Sequence, residues 1–201
     1  MKKTTLMKAV KFLEQCAKDS DLSFDFGSLK SFVKNMSEAA SNQQQGFPLP
    51  KEGGAVYVFS DGGCRGNPGP GAWAYCVQTK ADAIDKSETG FTASTTNNVM
   101  ELSGAIFGLK SLLKERPAKI ILYSDSQYVV KGVNEWIPSW KRRGWRKSNN
   151  QAPENLELWK ELDKLNSELN VEFKWVKGHS GHPQNELCDE LLNQRLDQEL
   201  A

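Results

Sequence analysis

Residues 55–74 read AVYVFSDGGCRGNPGPGAWA, and residues 119–125 read KIILYSD. In the first stretch a β-branched and aromatic run, Val56–Ser60, has the composition of a strand and closes on Asp61. A Gly/Pro-rich loop, GGCRGNPGPG, follows it. The second stretch repeats the design: an apolar strand, Lys119–Ser124, closes on Asp125. Working outward, Ala72–Val77 reads as a second strand and residues 88–94 as a third. Val99, Leu102, Ile106, Leu109 and Leu113 recur at helical spacing. Residues 126–136 read as helical and a basic stretch follows. Leu158, Leu162, Leu165 and Leu169 make the next helical stripe, and Val171–Val176 is the last strand. After a His/Gly loop, Pro183 is placed to open a final helix. Strands first, then strands alternating with helices, predict an α/β fold: a mixed sheet covered by helices.

The flanking sequence divides the 201 residues into three parts. Residues 1–36 predict two short amphipathic helices, with Leu6, Val10 and Leu13 on one face and Leu29, Phe32, Val33 and Met36 on another. Residues 37–54 hold SNQQQGFPLPKEGG and read as a linker. The main domain is 55–201. The net charge of +1 does not announce a nucleic-acid binder, so any such function must come from how charge is distributed. The cysteines at 16, 64, 76 and 188 fit neither metal-ligand pairs nor a disulfide framework, which suits reduced thiols in the cytoplasm. Lys8 and Lys11 break up any signal-peptide core, and no apolar run approaches the ~20 residues that span a bilayer.

Ligands of open α/β sheets bind beyond the carboxyl ends of the strands. If the strands ending at Asp61 and Asp125 are parallel neighbours, their carboxylates converge at one point. Each also admits a plainer reading as a turn-forming Asp. Glu101 follows Asn98 by three residues, so a capping box is equally available. Asp189, between Glu186 and Glu190, reads by default as solvated. Several carboxylates together suit Mg²⁺, which prefers hard oxygen ligands, and a pair of such ions can align water, phosphodiester and leaving oxygen. Cys188 beside Asp189 suits packing better than ligation.

Five motifs then occur in order: SDGGCRGNPGPGAWA (60–74), TTNNVMEL (95–102), YSDSQYVV (123–130), WIPSWKRRGW (136–145) and WVKGHSGHPQNELCDELL (175–192). Together they resemble the cellular type 1 ribonuclease H family over roughly residues 55–199. The resemblance implies a five-stranded mixed sheet flanked by helices. It implies an endonuclease that hydrolyses the RNA strand of an RNA–DNA hybrid with two metal ions, Mg²⁺ or Mn²⁺, leaving 5′-phosphate and 3′-hydroxyl ends. It carries the catalytic, metal-holding carboxylates over to Asp61, Glu101, Asp125 and Asp189. It carries the mobile-loop histidine to His179, for proton transfer or product release near the leaving group; His182, before a proline, reads as structural. Gly63 departs from the family, where Ser is frequent.

The same resemblance lays Cys64, Asn67, Asn97, Asn98 and Gln127 along the minor groove, where 2′-hydroxyls distinguish RNA from DNA. Asn67 and Asn98 also have local readings as turn and cap residues. Between Lys131 and Lys147, Lys141, Arg142, Arg143 and Arg146 face Glu135 as the sole acid, with Trp136, Trp140 and Trp145 interleaved. This segment resembles the basic protrusion that grips DNA phosphates. Two other functions are consistent with parts of this pattern: a polynucleotidyl transferase with related carboxylate chemistry, and a non-catalytic hybrid-binding protein. Residues 1–50 match no hybrid-binding module, and the apolar stripes of 1–36 suit a surface for a protein partner, self-association or docking on the nuclease itself.

Overall fold

The computed structural model describes residues 55–80 and 83–201. The helices expected in 1–36, the linker 37–54 and Cys16 lie outside the described residues. Five strands form one sheet: β1 (Ala55–Cys64), β2 (Gly69–Gln78), β3 (Lys86–Thr95), β4 (Lys119–Ser124) and β5 (Val171–Trp175). Their order is β3-β2-β1-β4-β5. The pairs β1–β2 and β2–β3 are antiparallel, and β1–β4 and β4–β5 are parallel. The mixed sheet read from the sequence is therefore the one observed.

Alternation of side chains divides the core into two layers. Val58, Tyr75, Val77, Ile120 and Leu122 pack with helices α1 (Asn97–Lys110) and α4 (Leu156–Leu169) on one face. Tyr57, Phe59, Cys76, Ile121 and Tyr123 pack on the other face against Cys188, Leu192 and Leu196 of helix α5 (Pro183–Leu200). Pro183 does occupy the first turn of α5. His182 just before it is buried against the stacked rings of Phe59 and Tyr123, at centroid distances of 5.3 and 5.9 Å. Cys188 is fully buried, its Sγ 3.4 Å from the Phe59 carbonyl oxygen and 3.5 Å from Cys76 Sγ. Cys64, Cys76 and Cys188 are free thiols.

Three local expectations need correction. Strand β1 does not stop at Ser60: it pairs with β2 through Asp61↔Ala74, Gly62↔Trp73, Gly63↔Ala72 and Cys64↔Gly71. Ladder pairing overrides the turn tendency of the glycines, so residues 65–68 alone connect the strands, and Asp61 is a strand residue rather than a turn residue. Helix α1 is capped by Thr96, whose hydroxyl accepts from the Val99 amide, and Asn98 lies inside the helix. Glu101 is thereby released from the capping-box reading. Finally, the helical path beginning with α2 (Gln127–Lys131) continues through a π-helical turn, Gly132–Trp136, into α3 (Ile137–Arg142), so much of the basic stretch is helical.

Candidate active site

The parallel register Ser60↔Ser124 brings the next residues, Asp61 and Asp125, side by side just beyond the end of the β1–β4 ladder. By alternation Asp61 follows Tyr57 and Phe59 toward the α5 face, and Asp125 follows Ile121 and Tyr123. Helix α1 delivers Glu101 from the opposite face. It comes close because a Cβ on Gly62 would sit 2.2 Å from the Met100 carbonyl carbon and 2.3 Å from the Glu101 nitrogen. Asp61, Glu101 and Asp125 each present an oxygen, and these oxygens lie within 4.8 Å of one another. Asp189 of α5 lines the same cavity, about 420 Å³, together with Cys64, Arg65, Asn97, His179 and Asn193.

The electrostatics follow from this crowding. Asp61 is 8% exposed, and its carboxyl pKa is pushed up to about 7. Burial is the main cause, and the Asp125 and Asp189 charges add to it; a bond from the Gly62 amide to Oδ1, 2.7 Å, works against both. Glu101 is held well above the ordinary carboxylate range by burial, then by Asp61 and Asp125. Its Oε2 is buried without a hydrogen-bond partner. Crowded carboxylates that repel one another, one of them with a buried oxygen that lacks any donor, fit a hard divalent cation.

Asp125 is fixed from three sides. Asn185 Nδ2 donates to its Oδ2 at 3.0 Å. The Trp175 indole donates to its carbonyl at 2.9 Å. Gly178 passes so close that a Cβ there would meet Oδ2 at 2.5 Å, which lets the next residue, His179, reach the cavity rim. His179 is exposed, with a positive φ of 48°.

The connection between β1 and β2 is stapled to the start of α1. The Cys64 amide donates to Asn97 Oδ1 at 2.9 Å, and the Asn97 amide donates to Asn67 Oδ1 at 3.2 Å. Asn98 is half-buried on α1 and Gln127 is exposed at the start of α2; neither lines the cavity. Trp136, Lys141, Arg142, Arg143 and Arg146 form a separate region. There the tryptophans 136 and 140 ring the fully buried Trp159 at 6.2 and 5.6 Å, which anchors the segment. Glu135 is the only acid within the segment, but Asp163 of α4 reaches it from outside and pairs with Lys141 at 2.8 Å. Arg142 is exposed, Arg143 bonds Ser139 and Arg146 bonds the Asn150 carbonyl.

Sequence reading missed Asn185, Asn193 and Arg65. The first two had a signal: 185, 189 and 193 recur every four residues and so share one helix face with Asp189.

A sheet of this order, with carboxylates gathered over its parallel strand ends, defines a protein of the ribonuclease H-like fold. The family model RNase H matches residues 53–197. A Ribonuclease H of Coxiella burnetii is 47% identical over 150 residues, covering 75% of this chain and 95% of that protein. One from Legionella pneumophila is 48% identical over 143 residues, covering 71% and 97%. Among solved structures, LC9-RNase H1, a type 1 RNase H, is similar with a TM-score of 0.62 and 30% identity, covering 75% of each chain. The chain belongs to the ribonuclease H family, and its activity is that of an endoribonuclease.

Proposed function

We propose that this enzyme hydrolyses the RNA strand of RNA–DNA hybrids by a two-metal mechanism, leaving 5′-phosphate and 3′-hydroxyl ends, and that residues 55–201 form its catalytic domain. The observation that carries the reading is the gathering of Asp61, Glu101 and Asp125 within 4.8 Å, in a cavity that Asp189 completes. These four carboxylates would hold Mg²⁺, with Mn²⁺ as a substitute. Bound divalent ions stabilise the charge on attacking and departing oxygens.

The chain's own groups do the rest. Cys64, Asn67, Asn97, Asn98 and Gln127 take 2′-hydroxyls and base edges of the minor groove, so that the RNA strand is the one presented to the carboxylates. Trp136, Lys141, Arg142, Arg143 and Arg146 hold the DNA strand through its phosphates, without reading sequence. His179 moves a proton at the leaving 3′ oxygen. Among the described residues no helix is long and apolar enough to cross a membrane. The free thiols support work in the reducing cytoplasm.

Matched RNA–DNA, RNA–RNA and DNA–DNA duplexes, incubated with Mg²⁺ or with chelator, test the proposal. Cleavage of the hybrid's RNA strand alone, and with metal alone, is expected. Retention of the hybrid in a gel without cleavage would favour a binding protein, and strand joining a transferase.

Two substitutions separate chemistry from binding. His179→Ala should lower kcat by ~10²-fold or more with little change in KM, since a general acid or base contributes ~10²–10⁴. An unchanged kcat would remove His179 from the chemistry. Replacing Lys141, Arg142, Arg143 and Arg146 together by Ala should do the opposite. Each neutralised phosphate adds roughly 0.9 to the log–log salt slope of binding to a B-form duplex. Because Lys141 is already paired with Asp163, a slope loss of about 2–3 is expected, with a raised KM and nearly constant kcat. A folded quadruple variant with wild-type KM and salt slope would reduce the segment to a solvated surface.

A further inference from the structure

Arg65 leaves the binding loop at the rim of the carboxylate cavity and crosses to α5. Its guanidinium lies 2.8 Å from Asp197 Oδ1 and donates at 3.3 Å to Asn193 Oδ1. The same Asn193 side chain donates through Nδ2 to Asp189 Oδ1 at 3.0 Å and to the Asp189 carbonyl at 2.9 Å. The chain of bonds therefore runs from the connection that follows Cys64 and carries Asn67 to the fourth carboxylate. Its polarity is set by Arg65, which has donors only. A guanidinium against Asn193 Oδ1 forces the amide nitrogen, and not the oxygen, toward Asp189. A carboxylate four residues earlier on a helix can accept that bond, but a flexible surface amide would otherwise share its time among rotamers.

We propose that Arg65 and Asn193 are positioning residues for the metal site: a two-residue strut that fixes Asp189 so that its other oxygen stays turned to the cavity. The inference rests on the metal-holding role given to Asp189 above. The strut also joins two functions, since the loop that faces the RNA strand is tied to the carboxylate that completes the cation site. Asp197 anchors the guanidinium, and both partners are largely exposed, 49% and 72% by side chain, so the pair alone contributes little to stability. The geometry it imposes on Asn193 is its function.

Coulomb's law provides a discriminating sign. Arg65 is a cation at the rim of a cation site. Were its charge all that mattered, Arg65→Ala would tighten Mg²⁺ binding; loss of the strut weakens it instead. The experiment is calorimetric titration of Mg²⁺ into the full-length enzyme, with the Mg²⁺ dependence of hybrid cleavage alongside. It compares wild type with Arg65→Ala, Asn193→Ala, the double variant, Arg65→Lys and Asp189→Ala. Both single alanine variants should raise the Mg²⁺ dissociation constant and half-saturating concentration about three- to tenfold, at wild-type Tm and with KM for hybrid at saturating Mg²⁺ within about twofold. The double variant should be no worse than Asn193→Ala, the non-additivity expected of a shared path. Arg65→Lys, which keeps a donor, should recover part of the loss. Tighter Mg²⁺ binding in Arg65→Ala, additive effects, or a raised KM with unchanged Mg²⁺ dependence would each overturn the strut. If Asp189→Ala itself leaves the Mg²⁺ response unchanged, the assignment of Asp189 fails and the strut with it. If Asp189→Ala weakens Mg²⁺ binding while the two alanine variants do not, the strut alone fails.

Discussion

Asp61→Asn is expected to abolish cleavage and, at the same time, to make the metal-free protein more stable. The amide keeps the shape of the carboxyl and can still accept from the Gly62 amide, but it cannot donate charge to a cation. Loss of several kcal/mol of transition-state stabilisation corresponds to a fall in turnover of ~10³-fold or more, with hybrid binding by the basic segment retained. The stability change follows from the raised carboxyl. In the folded chain Asp61 gives up its proton near 7, against 3.8 without the fold. Between those values the native state binds more protons than the unfolded state, so stability declines as pH rises through this window. The penalty is complete above pH 7 and absent below 3.8. It amounts to about 2–4 kcal/mol, reduced to the extent that the neighbouring carboxylates relax. In the presence of chelator at pH 8, Asp61→Asn should therefore melt roughly 5–10 °C above wild type, and the gap should close toward pH 4 as the native carboxyl takes up its own proton. Added Mg²⁺ should stabilise wild type more than the variant. Melting curves across pH with and without Mg²⁺ check the stability half; equal melting at pH 8 would show that burial exacts no such cost. Near-normal turnover would sink the metal-site assignment.

The opposing demands at Asp61 explain why some of this site is legible in sequence and some is not. Two apolar strands that each close on Asp announce converging carboxylates, because strand pairing is set by composition that can be read directly. The register that makes Ser60 and Ser124 partners is a property of the sheet. Residues 95–98, TTNN, offer four cap-competent side chains in a row, so the sequence alone leaves the helix start ambiguous; the choice of Thr96 comes from how β3 ends and where Asn67 and Cys64 bond Asn97. The continuation of helix through 137–142 was obscured by Pro138, which is tolerated near the start of α3, and by tryptophans whose purpose is to surround Trp159. Asn185 and Asn193 resemble any polar helix residues until their four-residue spacing from Asp189 is noticed. Arg65 pairs with residues about 130 positions away, a contact no local pattern encodes.

Gly62→Ala should damage both the fold and the site, although Ala is ordinarily a mild replacement in a strand. Helix α1 crosses β1 on two glycines. A Cβ on Gly62 would meet the Met100 carbonyl carbon, the Glu101 nitrogen and the Met100 oxygen at 2.2, 2.3 and 2.5 Å, and a Cβ on Gly104 would meet the Asp61 oxygen at 2.7 Å. All of these are backbone atoms, so no rotamer change relieves the clash. The helix must lift from the sheet, and the residue it lifts is Glu101, which with Asp61 and Asp125 forms the carboxylate cluster of the proposed cation site. Overpacking of this kind costs about 1–3 kcal/mol, so Tm should fall by several degrees. A displacement of about 1 Å at reacting groups costs on the order of 10²-fold in rate, so kcat should fall by at least that much. Mg²⁺ affinity should weaken, and hybrid affinity should fall less, since the lifted helix also carries Asn97 while the proposed grip of the basic segment is left in place. The neighbouring glycine provides the contrast. A Cβ on Gly63 would meet only the Leu192 Cδ1 atom, at 3.4 Å, a flexible side-chain tip. Gly63→Ala should therefore retain the wild-type Tm within about 2 °C, the range expected of a substitution worth about 0.5 kcal/mol. Melting and Mg²⁺ titration of the two variants side by side test the argument: equal behaviour of Gly62→Ala and Gly63→Ala would mean that α1 is not held against β1 by the glycine seat, and that the position of Glu101 has another cause.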